Sequence, residues 1–352
     1  MVKIFAIGAT GYIGSTATHA IASSSPTHTW TVLVRSAARA AVLRATLPPS
    51  TRYVVGDNSS TALITAESAA ADVVINWASS DDEPLVRAVV AGMEAKAAPG
   101  YLIHVSGTGL LEWEDMRTGT YGVESTKVYD DWEGVGEVTS FPDEALHRVI
   151  DKVVLEAGAR GKVRTAVVCP PAVYGRGEGT VGDEHGIVPW TVKPLLERGK
   201  GFVVGDGGAV WNTVHVQDLA GLFVRLVEEA TKGGGSATWG PEGYYFAENG
   251  QVAWRDGMSR LVDAAFQKGL IKSTEVESLD EEQAKKISPF ALIMWGMNSR
   301  SKAVRARKLL GWHPVKSDMI EDAIQNWRWS SADEIPAFSF DPPKELKGIV
   351  DV

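Results

Sequence analysis

The apolar run at residues 2–7, Val-Lys-Ile-Phe-Ala-Ile, leads directly into Gly8-Ala9-Thr10-Gly11-Tyr12-Ile13-Gly14. The run reads as a buried parallel strand and residues 12–23 as a helix, which places the three glycines in a strand-to-helix turn. In such a turn Gly8 permits the tight bend, Gly11 lets the backbone approach a bound anion, and Gly14 allows the helix to pack closely on the strand. The amides of the helix's first turn and the helix dipole then face that anion, as in dinucleotide-binding folds.

Residues 30–34 supply a second strand and complete one βαβ unit. Further strand-like runs follow at 53–55, 73–75, 102–105 and 163–168, separated by alanine-rich stretches with helical spacing. This alternation predicts an α/β fold, a Rossmann-type doubly wound parallel sheet, over residues 1–175. Beyond Tyr174 the texture changes: glycine and proline cluster at 175–194, and eight of the 12 tryptophans lie at or after Trp190. We expect a smaller substrate-binding lobe from residues 176–211 and 236–352, with residues 212–235 returning to the first domain. Residues 233–236 read as a flexible connection and 336–343 as an irregular tail. Most of the tryptophans read as core.

At 352 residues the chain admits one large unit or two packed lobes. With 35 Lys+Arg against 44 Asp+Glu its net charge is -9, a field that opposes a nucleic-acid backbone or an anionic membrane surface. Cys169 is the single cysteine, so no internal disulfide can form and a reducing compartment fits. No apolar run approaches the ~18 residues of a membrane span, and the first strand is too short for a signal sequence. These features point to a cytoplasmic protein. The seven histidines are scattered, and neither a His-x-x-x-His pattern nor a cysteine pair suggests a metal site.

The spacing Thr-Gly-x-x-Gly-x-x-Gly resembles that of the extended short-chain dehydrogenase/reductase superfamily, the NAD-dependent epimerase/dehydratase type, and other segments resemble it in order. Asp57 and Asn58 follow the third strand, where the resemblance implies contact with adenine, and Asn76-Trp77-Ala78-Ser79 ends the fourth. Ser106 ends the fifth strand, in the place of the family's catalytic serine. Lys152 and Glu156 match a Lys-x-x-x-Glu helix, and Pro170-Pro171-Ala172-Val173-Tyr174-Gly175 matches the segment flanking the nicotinamide. Later signatures are matched at residues 214–220 and 309–314. The resemblance thus covers residues 2 to about 315. It implies a dinucleotide held by Gly8, Thr10, Gly11, Tyr12, Ile13 and Gly14, then by Asp57, Asn58, Trp77, Ala78 and Ser79, and at its nicotinamide end by Lys152, Pro170 and Val173. It also allows a homodimer through the helices beside the site.

The end of the second strand selects the dinucleotide. An Asp or Glu there binds a ribose 2′-hydroxyl, whereas this chain has Val34-Arg35-Ser36 followed by Arg39. An arginine fork suits a 2′-phosphate, so NADP(H) is expected; one charge-assisted hydrogen bond of roughly 1.5–3 kcal/mol gives about ten- to hundredfold discrimination.

The family pattern breaks at the catalytic helix. Its members carry Tyr-x-x-x-Lys, but four residues before Lys152 stands Arg148. With Leu146, Val149, Ile150 and Val153 as the buried stripe, Arg148 takes the tyrosine's angular place, about 40° from Lys152. A permanently charged guanidinium cannot exchange protons, so Arg148 is expected to contact a polar or anionic substrate group. His147, about 140° from Lys152 by helical counting, reads as a surface or interlobe residue. Tyr129, in the polar stretch after Ser106, is a candidate donor, with Tyr121 nearby. Tyr174 reads as structural, and His215 and Asp218 as interlobe structure.

The sequence therefore predicts an NADP(H)-dependent oxidoreductase acting on a carbonyl or alcohol of a small organic molecule, with Ser106 polarising the substrate oxygen and Lys152 orienting the ribose. A non-redox NADP-binding protein, either a cofactor-state sensor or an isomerase-like enzyme, is the alternative.

Overall fold

In the computed structural model, residues 1–179 and 186–336 are described; most of the tail expected at 336–343 lies outside them. The strands in chain order are β1 Lys3–Ile7, β2 Thr29–Val34, β3 Arg52–Val55, β4 Val73–Asn76, β5 Gly100–Val105, β6 Tyr129–Asp130, β7 Val163–Cys169, β8 Ala172–Tyr174, β9 Gly201–Val204, β10 Val210–His215, β11 Tyr244–Phe246, β12 Gln251–Ala253, β13 Val276–Leu279 and β14 Ser301–Lys302. Seven of them form one parallel sheet in the order β11-β7-β5-β4-β1-β2-β3. The doubly wound sheet expected from the sequence is present, and each of its first five strands lies within two residues of the expected run.

The central strands are mostly apolar and buried because helices cover both faces, while Lys3, Thr29, Arg52 and Arg164 are exposed. Helices α1 Tyr12–Ser24, α2 Ala37–Leu43, α3 Thr61–Ala70 and α4 Glu83–Glu94 follow β1 to β4 in turn. After β5 come α5 Trp113–Thr118, α6 Val135–Val138 and α7 Arg148–Ala159, then α8 Val188–Arg198 and α9 Val216–Thr231. Helix α1 packs beside α9, while α4 packs between α3 and α7. Every residue of β5 is buried. Strand order reverses between β1 and β4, so a crevice opens at their carboxyl ends, where ligands bind in sheets of this topology.

The smaller lobe contains the sheet β12-β10-β8 and the pair β13-β9. Its core holds the fully buried Trp254, Trp295 and Phe202. The expected boundary needs two corrections. Strand β11 extends the main sheet in register with β7, Tyr244 opposite Val167, and Ala303, Ala306, Leu310 and Trp312 pack into the first core. A three-residue Tyr-Tyr-Phe run is too short for its period to show in sequence.

Residues 233–236 form a tied turn rather than a loose link: the Gly234 N–H donates to the Glu229 carbonyl at 2.9 Å, and Trp239 Nε1 donates to the Gly234 carbonyl at 3.1 Å. His215 caps α9 and Asp218 ties it to the chain before residue 320. His215 Nδ1 accepts from the Gln217 N–H at 3.1 Å, and Asp218 accepts from the Val315 and Lys316 N–H groups.

Candidate active site

The glycine turn divides into structural and ligand-facing positions. Gly8 adopts φ 83°, and a Cβ there would stand 2.5 Å from the Ala78 nitrogen. A Cβ on Gly14 would meet the Gly8 carbonyl oxygen at 2.2 Å, so these two glycines are required by the chain itself. At Gly11 the nearest neighbour of such a Cβ is the same oxygen at 3.4 Å, an ordinary contact. A side chain there would project into the crevice instead. The first turn of α1 carries no acidic residue, leaving the dipole's positive end unopposed.

That crevice has a volume of about 830 Å³ and is lined by Gly8, Thr10, Gly11, Arg35, Arg39, Asp57, Asn58, Trp77 and Ala78. Ser36 caps α2, its hydroxyl accepting from the Arg39 N–H at 3.3 Å. The two arginines are exposed and form no ion pair among the described residues. Hydrogen bonds from Ser59 and then Ser60 hold the Asp57 carboxyl below its ordinary pKa. A cradle that only a glycine leaves open, an uncapped helix start and two unpaired guanidinium groups fit an elongated, phosphate-bearing dinucleotide. Ser79 is turned elsewhere, its hydroxyl accepting from the Asp81 N–H at 3.0 Å.

A second pocket, of about 360 Å³, begins at Tyr12 and Ile13 and runs past Pro170–Val173 into the smaller lobe. Trp190, Trp211, Phe290, Ile293 and Met294 give it apolar walls; Thr108, Glu112, His147 and Ser299 are its polar members. Tyr12 closes the junction by donating its hydroxyl to the Gly175 carbonyl at 2.5 Å.

His147 is the one non-glycine with positive φ among the described residues, at 65°. It precedes α7 as its N-terminal cap residue, so helical counting from Lys152 does not give its direction. That reverses the sequence-based placement of His147 away from the site. Its Nδ1 lies 2.7 Å from Asp81 Oδ1, and a Cβ on Gly107 would stand 3.0 Å from its Nε2. Asp81 is fixed in turn by the Ser80 hydroxyl at 2.7 Å. Burial alone would raise the Asp81 pKa, but the charge and hydrogen bond of His147, with Ser80, bring it below the ordinary value. Behind them the buried His104, held at about 4 chiefly by desolvation, is a neutral imidazole that accepts from Asn76 Nδ2 at 3.1 Å.

Helix α7 buries Ile150 and Val153 as expected, and Asp151 as well, while Arg148, though buried, and Lys152 turn to partners away from the pocket. Asp151 is fully buried and accepts from the Tyr244 hydroxyl at 3.0 Å. Desolvation raises its pKa to about 6, against the opposing effect of the Ser106 hydroxyl. Ser106 is buried and does not line the pocket. Arg148 makes no contact with the pocket either: Nε donates to the Phe141 carbonyl at 2.9 Å and Nη2 to the Thr139 carbonyl at 2.5 Å. Its charge clamps the loop before α7. Lys152 pairs with Asp143 at 3.1 Å, with 45% of its side chain exposed. Tyr129 lies on Phe141, ring centroids 5.4 Å apart, under the Lys127 ammonium; neither it nor Tyr121 lines the pocket. Tyr174 is buried and donates to the Ser317 carbonyl.

Sequence reasoning missed Asp81, Thr108, Glu112 and Ser299. Asp81 had a signal, since it lies in the loop after a strand that borders the switch point. Thr108 and Glu112 lie in the chain between β5 and α7, which carries no pattern of its own, and Ser299 reaches the pocket from the smaller lobe through its hydroxyl, which donates to the Thr108 carbonyl at 2.9 Å.

Comparison with known proteins is consistent with this geometry. Residues 8–131 match the NAD(P)H-binding family and residues 123–239 the NAD dependent epimerase/dehydratase family. Over 331 residues, 91% of this chain and 95% of its relative, the sequence is 37% identical to the oxidase ucsJ of an Acremonium species. The chain belongs to the NAD(P)-binding epimerase/dehydratase family of extended short-chain dehydrogenases/reductases. An uncharacterised protein of Saccharomyces cerevisiae is 25% identical over 92% of this chain and 99% of its own. Among solved structures of the epimerase/dehydratase fold, the PbgP3 protein from Burkholderia pseudomallei aligns with TM-score 0.64 at 15% identity, covering 92% of this chain and 94% of that one. The dTDP-glucose 4,6-dehydratase DesIV from Streptomyces venezuelae, with NAD and TYD bound, aligns with TM-score 0.61 at 18% identity, covering 92% and 98%. No helix among the described residues is long and apolar enough to cross a membrane.

Proposed function

We propose that this family member is an NADP(H)-dependent oxidoreductase that acts on a carbonyl or alcohol of a small organic molecule, with His147 handling the proton at the substrate oxygen. The observation that carries this reading is the Asp81–His147 contact of 2.7 Å at the wall of an apolar pocket, which abuts the Pro170–Val173 segment and begins at Tyr12 and Ile13, next to the Gly8, Thr10 and Gly11 that line the dinucleotide crevice. When bound, the dinucleotide supplies hydride to a carbonyl carbon or accepts it from a carbinol carbon. The chain's part is to hold and move one proton. Asp81 selects the imidazole tautomer with hydrogen on Nδ1, which leaves proton exchange to Nε2, and its negative charge stabilises the imidazolium. In reduction, His147 donates a proton to the oxygen as hydride reaches carbon; in oxidation it takes the hydroxyl proton. The pocket's apolar walls exclude water from the reacting centre. Arg35 and Arg39 support NADP(H) over NAD(H), because each offers a guanidinium that no carboxylate among the described residues satisfies.

The test is NADPH consumption with a panel of apolar aldehydes and ketones. His147→Gln should lower kcat by about 100-fold or more while NADPH affinity stays within about twofold. Turnover equal to the parent's would remove His147 from the chemistry. Tight NADPH binding without consumption on any carbonyl, and without NADP⁺ reduction by any alcohol, would support the non-redox reading.

A further inference from the structure

Glu112 is an unusual wall for an apolar pocket. Its side chain is 2% exposed, and its Oε2 is shut from solvent with no hydrogen-bond partner among the described residues. It ends a short 3-10 helix, Thr108–Glu112, that runs directly into α5. It forms no ion pair among the described residues, and neither does Asp115, whose Oδ2 accepts from the Asn298 N–H at 2.6 Å and from Asn298 Nδ2 at 2.8 Å. The side chain instead lines the pocket with Trp190, Trp211 and Phe290. A buried carboxyl left without a donor is costly unless a ligand completes it.

Resting on the reading of this pocket as the substrate site, we propose that the substrate is an apolar, ring-bearing amine whose nitrogen is bound by Glu112. The ring is received by Trp190, Trp211 and Phe290, whose faces and edges suit a flat apolar body. The ammonium is received by Glu112 in a charge-assisted hydrogen bond, and the nearby Asp115 adds negative potential. Burial, reinforced by Asp115, raises the Glu112 pKa well above the ordinary value. An ammonium placed beside it favours the carboxylate form, pairs with it and releases the carboxyl proton to solvent. A substrate carboxylate would meet two acidic side chains, so the same arrangement rejects acids.

Binding of 4-phenylbutylamine, 4-phenylbutanol and 4-phenylbutanoate to the full chain saturated with NADP⁺, followed by calorimetry and by tryptophan fluorescence, tests the proposal. The amine should bind about tenfold or more tightly than the alcohol, with the acid weakest. In Glu112→Gln the amine and alcohol should bind alike, and in Glu112→Leu the alcohol should bind more tightly than the amine. Equal binding of amine and alcohol by the parent overturns the proposal, as does an amine preference that survives in either folded variant. Near-UV circular dichroism identifies folded protein, and two substitutions keep the test open if one fails to fold. The titration needs no turnover, so its failure is distinct from a failure of hydride transfer, which is read separately from NADPH absorbance.

Discussion

Asp81 and His147 lie 66 positions apart, yet the Asp81 Oδ1 and His147 Nδ1 atoms meet at 2.7 Å. Asp81 ends the loop that follows β4, and His147 is held in a left-handed conformation immediately before α7. A β-carbon residue with positive φ is strained; here the strain aims the imidazole at the pocket rather than along the helix. Asp81→Asn should keep NADPH affinity and lower kcat by about 100-fold, because the imidazolium loses its counter-charge and the tautomer is no longer fixed. Stopped-flow NADPH absorbance measures this, and unchanged turnover would show that the contact is structural only.

The same pair carries a pH signature. The folded-state pKa of Asp81 is lowered, so its contribution to stability is present above the unfolded value near 3.9 and is lost as pH falls through the folded one. The urea midpoint of the parent should exceed that of Asp81→Asn at pH 7, and the gap should narrow at pH 3. A gap that is constant with pH contradicts the ionised Asp81–His147 assignment.

Asp151 has the opposite sign. Desolvation raises its pKa from 3.8 to about 6, so the folded state keeps a proton that the unfolded chain has released. Its stabilising neutrality is complete below about pH 3.8 and is lost as pH rises through about 6, a change of about 2–3 kcal/mol. Asp151→Asn, which still accepts from Tyr244, should therefore gain stability relative to the parent between pH 4.5 and pH 7. Chemical denaturation at these two values checks it.

The glycines separate by role. Gly11→Val should fold and fail to bind NADPH, since its side chain enters the crevice, while Gly14→Val should lose the fold, its Cβ falling 2.2 Å from the Gly8 carbonyl oxygen. Circular dichroism with fluorescence titration distinguishes them; NADPH binding by Gly11→Val at parental strength would misplace the cradle.

Arg35→Ala should weaken NADPH about ten- to hundredfold and leave NADH within about twofold, because only the 2′-phosphate needs the guanidinium. Equal losses for both dinucleotides would mean that Arg35 serves the general field of the crevice.

How far the sequence led follows from where its periods are strict. Strands β1, β4 and β5, almost wholly buried, announce themselves as apolar runs, and the Gly8–Gly14 turn sits where the first of them ends. Helix α7 misled the counting for two physical reasons. His147 lies outside the helix, so its angle is set by one positive φ rather than by 100° steps. Asp151, a charged residue outside the expected stripe, is buried beside Tyr244, and Arg148, buried as well, turns to the Thr139 and Phe141 carbonyls. Trp190 and Trp211 line the pocket while Trp254 and Trp295 fill the core, a division that composition alone cannot make.

The most direct test of the account is the single-turnover rate of NADPH oxidation, with saturating carbonyl substrate, in His147→Gln beside Arg148→Met. The account predicts a loss of about 100-fold or more for His147→Gln, with hydride transfer by folded Arg148→Met within a few-fold of the parent. A parental rate in His147→Gln together with a collapse in folded Arg148→Met would contradict it and return the chemistry to the helix position that the structure turns away.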